Sequence, residues 1–149
     1  MIVRDAFYGV RRFSDFRTHL GIPKAVLSDR LALLVSEDVL AKTSAPHGRD
    51  EYLLTEKGLG LWPTIWSLIT WGNENYLDAP TRRTYRHIDC DGTIRPDRVC
   101  SDCHRTPEPQ DLIVHPAQRP RDRIPRNDRA SNTLRHPHRL LDSINSAAE

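Results

Sequence analysis

Apolar residues recur at helical spacing through the first forty positions. Ile2, Val3, Ala6 and Phe7 share one face and predict a short helix that begins without a capping residue and ends at Gly9. Ser14 reads as the N-cap of a second helix over 15–20, with Phe16 and Leu20 one turn apart. Gly21-Ile22-Pro23 stops that helix. A third, over 24–37, sets Leu27, Leu31, Leu34 and Val35 on one stripe, the signature of a half-buried helix. Two short apolar runs then flank a polar break containing Pro46 and Gly48, which predicts a β-hairpin over 40–54. Thr55 opens a long helix over 56–77 carrying Leu59, Trp62, Ile65, Trp66, Ile69 and Leu77. Pro63 near its start implies either a kink or a later true beginning.

Helix, helix, tight turn, helix, hairpin, long helix is the order of a winged helix-turn-helix, so the expected fold is mainly α with a small hairpin wing. Three-helix cores with a hairpin serve other purposes too, and the pattern alone does not select among them. Composition limits how far this fold extends. The chain has 149 residues, 38% hydrophobic and 28% charged, with 11 prolines. Six of the prolines fall within 107–137 and only three within 1–78, so one compact fold over the whole chain is not expected. The expected division is a winged-helix domain over 1–79, a small Cys-rich, knuckle-like segment over 80–105, and a Pro/Arg-rich tail over 106–149. Runs such as Arg119-Pro120-Arg121-Asp122-Arg123 offer little to bury, so the tail is expected to be disordered. No apolar run approaches the roughly 18 residues of a membrane span. The amino terminus lacks a basic-then-apolar leader, which predicts a cytoplasmic protein.

The net charge of +2 is unevenly spread: residues 1–30 carry three excess positive charges and residues 31–78 four excess negative ones. That places a phosphate-binding face in the first part. The alternative is chance clustering on an ordinary solvated surface.

From Arg4 to Trp71 the sequence resembles the HxlR-type family of winged helix-turn-helix transcriptional regulators. The resemblance rests on the run from Arg4 through Phe16, then Leu20-Gly21-Ile22, Val26-Leu27-Ser28-Asp29-Arg30-Leu31 and Leu34. Tyr52-Leu53-Leu54-Thr55-Glu56-Lys57-Gly58 and Trp71-Gly72 complete it. Against the family's usual pattern, Met1 falls inside what would be the second helix, so the first family helix is expected to be missing. Either a longer chain or a shortened regulator fits that start. The resemblance implies duplex DNA as partner and a homodimer formed through the 56–77 helix, reading a palindrome with helix 24–37 in the major groove.

Helical geometry places Ala25 and Asp29 opposite the leucine stripe, with Lys24, Ser28 and Arg30 at the flanks. Lys24 or Arg30 suits guanine or phosphate, Ser28 suits either, and Ala25 suits a thymine methyl. Asp29 serves equally well as a helix-dipole residue. Arg11, Arg12 and Arg17 lie beside the backbone-crossing helix, where phosphate contacts position a domain; Lys42, His47 and Arg49 lie on the wing. Exposed cations are common on any surface, and it is their collective placement that points to DNA.

His87-x2-Cys90, then Cys100-x2-Cys103 nine residues on, offers two chelating pairs, which predicts a structural zinc knuckle with His104 competing for the fourth position. An idle thiol loop and a redox Cys-x-x-Cys remain alternatives. No phosphate-cradling glycine loop, nucleophile elbow or helical pair of metal histidines is present, so no enzyme is read from the chain. Two further readings stay open: a zinc-bound protein-interaction module, and a truncated regulator without function.

Overall fold

The computed structural model describes residues 1–45, 49–78, 82–118 and 127–145. Helix α1 spans Ile2–Phe7 and ends at Tyr8, after which Gly9 turns the chain at φ +85°. Helix α2 spans Phe13–Leu20. Its N-cap is Arg12, not the expected Ser14, because Arg12 is still extended and pairs with the hairpin edge at Glu51, while the Tyr52 amide donates to Arg11 O at 2.8 Å. Backbone pairing thus sets where the helix begins, and the Ser14 hydroxyl is not used as a cap. Gly21 closes α2 in the left-handed conformation at φ +65°. Helix α3 then runs Lys24–Ser36 behind Pro23.

Strands β1 (Leu40–Ala45) and β2 (Arg49–Leu54) form the expected antiparallel hairpin, registered Leu40 to Leu54 and Lys42 to Tyr52. The expected long helix is two helices. α4 (Glu56–Leu59) is capped by Thr55 Oγ1, which accepts from the Gly58 amide at 3.0 Å. α5 (Trp62–Tyr76) starts afresh with Pro63 in its first turn, the position where a missing amide costs no helical hydrogen bond.

Beyond α5 the chain builds a sheet the sequence pattern does not predict. β3 (Thr84–His87), β4 (Leu112–His115) and β5 (His138–Arg139) pair antiparallel in that order, with α6 (Arg129–Thr133) before β5. The expectation of disorder over 106–149 therefore does not hold for residues 107–118 and 127–145. Leu112, Val114, Ala130, Leu134, Leu140 and Ile144 are all buried there. Leu112 and Val114 belong to the short run Leu112-Ile113-Val114 and Leu140 adjoins Leu141, whereas Ala130, Leu134 and Ile144 are lone apolar residues among polar neighbours, and all enter cores shared with other segments. The Arg119–Arg123 run lies outside the described residues.

Two adjoining apolar clusters result. One joins Ile2, Ala6, Val10 and Phe16 to Leu27, Leu31 and Leu40, and adds Ala130 and Ile144 from the carboxyl-terminal segment. The other joins Phe7, Tyr8, Trp62 and Trp66 to Tyr85, Ile94, Cys100, Leu112 and Leu140. The three segments expected to be separate thus share their interior. The Tyr8 and Tyr85 hydroxyls meet at 2.6 Å inside the second cluster. Burial, reinforced by Tyr8, raises the Tyr85 phenol well above its ordinary pKa, so it stays a neutral hydrogen-bonding group.

The carboxyl-terminal segment lies along the α1–α2 turn, with the Leu141 amide on Phe7 O (2.8 Å) and the Ile144 amide on Gly9 O (3.1 Å). A Cβ at Gly9 would fall on the Asp142 carbonyl oxygen, so this position requires glycine for space as well as for its positive φ. We expect Gly9→Ala to destabilise the protein by about 3 kcal/mol in denaturant titration. A loss below about 1 kcal/mol would mean that the segment does not sit on this turn.

On α6, burial raises the Asp128 carboxyl, but the hydroxyl and amide of Ser131, together with His19 Nδ1 at 3.0 Å, outweigh it and hold the pKa below the usual value. A carboxylate with a depressed folded pKa contributes stability above its unfolded pKa and loses it as pH falls through the folded value. Between neutrality and about pH 3 the melting temperature of the protein should therefore fall further than that of Asp128→Asn.

Candidate functional site

The outer face of α3 is open. Leu27 (0% exposed) and Leu31 (1%) anchor the helix from within, and Lys24, Ala25, Ser28, Asp29 and Arg30 are all exposed on the remaining surface. Among the described residues no salt bridge engages Lys24, Asp29 or Arg30. Arg17 is exposed on α2. A helix held by a buried stripe, with short polar and cationic side chains on its amino-terminal outer half, has the dimensions and the donors to enter a major groove.

Other predicted contact residues are placed differently. The Arg11 guanidinium donates to Leu141 O at 2.7 Å. That of Arg12 reaches Glu51 Oε1 and Asn145 Oδ1, both at 3.3 Å. Both arginines are half-buried and make these contacts inside the molecule. On the hairpin, Lys42 pairs with Asp50 at 2.7 Å across the strands, an exposed contact that raises the lysine pKa, and Arg49 is exposed. His47 lies outside the described residues.

The face of α5 carrying Trp62 and Trp66, on the helix through which the resemblance implies a homodimer, is covered by the chain's own second sheet and the residues around it. Trp62 is 3% and Trp66 4% exposed, with Tyr85 packed edge-on against both, and the Trp66 indole donates to Pro96 O at 2.9 Å. The second sheet supplies the cover that a small helical domain lacks by itself. What α5 leaves outside is Leu68, Trp71 and Tyr76, each more than half exposed.

The structure brings His87, Cys90, Cys100 and Cys103 together as the spacing predicts. Their ligating atoms all lie within 4.8 Å of one another. His87 Nδ1 is 3.3 Å from Cys90 Sγ and from Cys103 Sγ, and Cys90 Sγ is 3.4 Å from Cys100 Sγ. Bonds of about 2.0–2.3 Å to a central ion give tetrahedral edges of about 3.3–3.8 Å, so the cluster is near the size of a four-coordinate shell.

Two copies of one turn make this cluster. In the first, the His87 amide donates to Gly92 O at 2.9 Å and the Asp91 amide to His87 O at 2.8 Å. In the second, the Cys100 amide donates to Arg105 O at 2.9 Å and the His104 amide to Cys100 O at 3.2 Å. Asp91 and His104 occupy the matching left-handed positions, φ +58° and +59°. In each turn the amide two residues beyond the second ligand, Gly92 or Arg105, donates to that thiol. That amide of Arg105, helped by its guanidinium and against the effect of burial, lowers Cys103 to a pKa of about 6. For Cys90 the Gly92 amide also pulls downward, but burial and the neighbouring thiols outweigh it, and the thiol is raised. Gly92 has no room for a side chain, since a Cβ there would collide with Cys100 Sγ.

The competing ligand His104 is exposed and stands outside the cluster. Sequence reasoning missed the outer partners. Asp89 Oδ2 lies 3.5 Å from His87 Nε2 and 3.1 Å from the Arg105 guanidinium, so a carboxylate faces the ring nitrogen turned away from the thiols. Metal-binding histidines are commonly oriented in this way, and the His87-x-Asp89 spacing is the signal that was available.

Comparison with known proteins agrees with the helix-turn-helix half. The HTH-type transcriptional regulators Mb3122 of Mycobacterium bovis and Rv3095 of Mycobacterium tuberculosis are each 38% identical over 120 residues, covering 73% of this chain and 75% of theirs. The crystal structure of PA1607, named as a transcription factor, superimposes with a TM-score of 0.50 at 40% identity; the match covers 52% of this chain and only 55% of that one. The profile of the HxlR-like helix-turn-helix family matches residues 1–80, more than half of the chain. With its open α3 face and the helix order that precedes the hairpin, the protein belongs to the HxlR-like helix-turn-helix family.

Proposed function

We propose that the protein is a sequence-specific duplex-DNA-binding transcriptional regulator that lays α3 in the major groove, with the β1–β2 hairpin as the wing. The observation that carries this reading is the free outer face of α3. Ala25 and Ser28 supply short contacts to base edges, Lys24 and Arg30 supply donors to guanine or phosphate, and Asp29 sits among them near the helix start. Arg17 on α2 and Lys42 and Arg49 on the hairpin supply phosphate contacts that set the register. Arg11 and Arg12 are assigned instead to bracing, because both are half-buried and reach Leu141, Glu51 and Asn145 within the molecule.

The protein acts as a homodimer on a palindromic site. Its α5 surface at Leu68, Trp71 and Tyr76 supplies the apolar area that self-association needs. Two recognition helices would then lie about one DNA turn apart. His87, Cys90, Cys100 and Cys103 hold one structural zinc ion: three thiols and one imidazole form a closed shell with no position left for a substrate. The paired amide-to-sulfur contacts and Asp89 support this assignment.

Retardation of a duplex carrying the protein's own upstream region, followed against salt, tests the DNA reading. Each phosphate contact contributes a slope of about 0.9 in log affinity against log salt, so Lys24→Ala and Arg49→Ala should each flatten the slope by about one. Arg11→Ala should leave the slope in place and lower the melting temperature instead. No retardation at low salt would point to a protein-interaction module.

Elemental analysis of purified protein tests the metal assignment. One zinc per chain is expected, retained in His104→Ala and lost in Cys100→Ser; a substoichiometric wild type removes the assignment.

A further inference from the structure

The metal cluster lies close to the seam that joins the lobe to the helix-turn-helix. Tyr85 and His87 are alternate residues of β3, so their side chains leave the same face of the strand, and both are buried. The Tyr85 ring packs against Trp66 with centroids 4.9 Å apart, and Trp62 packs against Phe7 of α1, also at 4.9 Å. The Tyr85 hydroxyl bonds Tyr8 directly, and Cys100, a candidate ligand, belongs to the same buried cluster. Pro96, which accepts the Trp66 indole proton, lies in the loop that links the two metal-binding turns.

Helix α1 therefore rests on two supports. Phe7 and Tyr8 face the aromatic seam, while Ile2 and Ala6 pack with Phe16, Leu27 and Leu31 beneath the recognition helix. The lobe's own share of the seam is small, chiefly Tyr85, Ile94, Leu112 and Val114. So few apolar side chains cannot order two tight turns by themselves, and metal-binding free energy serves as folding free energy in such a unit.

We infer that metal occupancy of the His87, Cys90, Cys100 and Cys103 cluster regulates duplex-DNA binding, by fixing Tyr85 against Tyr8 and so the seating of α1 under α2 and α3. This rests on the DNA and zinc readings above. It adds that the two are linked, so that losing the ion loosens the seam and, through α1, the recognition unit. Linked sites of this kind typically change one another's affinity by about 5- to 150-fold.

The test uses full-length protein in zinc-loaded, chelator-stripped and zinc-restored states, with metal content measured in each. Hydrogen exchange of the α1 amides and affinity for the upstream-region duplex at low salt are read side by side. Stripping should lower both α1 protection and duplex affinity about tenfold, and zinc should restore both. Tyr85→Phe, which keeps the ring and every ligand, should still bind one zinc but show a response of about threefold or less; Tyr8→Phe, the partner variant, should behave alike. Unchanged α1 protection on stripping, or a full tenfold response in both variants, overturns the inference. Wild-type protein without stoichiometric metal overturns it together with the zinc reading. Metal-dependent α1 protection with no duplex binding in any state overturns the DNA reading and leaves metal control of the helix-turn-helix supported.

Discussion

The rest of the molecule depends on the aromatic seam between α1, α5 and β3. Phe7, Trp62, Trp66 and Tyr85 pack ring to ring across three elements far apart in sequence, and the Tyr8–Tyr85 hydroxyl pair satisfies the polar atoms that this burial would otherwise strand. Neither half is well provided without it. The helix-turn-helix would leave two tryptophans on its surface, and the cysteine lobe would have too little apolar surface to hold its turns. Joined, they leave α3 facing outward with its cationic and small polar residues unencumbered.

Much of the helix-turn-helix was legible because its signals are local. The leucine stripe of α3, the Gly21 stop and the two short apolar runs of the hairpin strands each act within a few residues, and α3, the end of α2, β1 and β2 form where the spacing places them. Where the reading failed, a distant partner decided the outcome. Ser14 has the chemistry of a cap, yet α2 begins earlier because Arg11 and Arg12 pair with the second hairpin strand. The spacing of Trp62 and Trp66 marks an apolar stripe but does not say what covers it, and the cover is a sheet formed some twenty residues later.

The carboxyl-terminal segment shows the same limit more sharply. Prolines and arginines give it the composition of a disordered tail, and no window within it carries enough apolar residues to fold alone. It does not need to fold alone. Leu112 and Val114 are the buried positions of the short apolar run that forms β4, and single residues such as Ala130, Leu134 and Ile144 fill places in cores shared with other segments. The meeting of His87, Cys90, Cys100 and Cys103 was legible in their spacing, because chelate spacing is a local constraint. The repeated turn and the Asp89–Arg105 pair were not, since both arise from how the two turns face one another.

Because they share the seam, the helix-turn-helix, the cysteine lobe and the carboxyl-terminal segment unfold as one body. Thermal unfolding of the intact protein, followed at once by tryptophan fluorescence and by helical circular dichroism, tests this most directly. Trp62 and Trp66 report the seam, and the dichroism reports chiefly α2, α3 and α5. Coincident transitions with a single midpoint are expected of one cooperative body. A fluorescence change complete well before the helices melt would show two independent units that merely touch, and would contradict it.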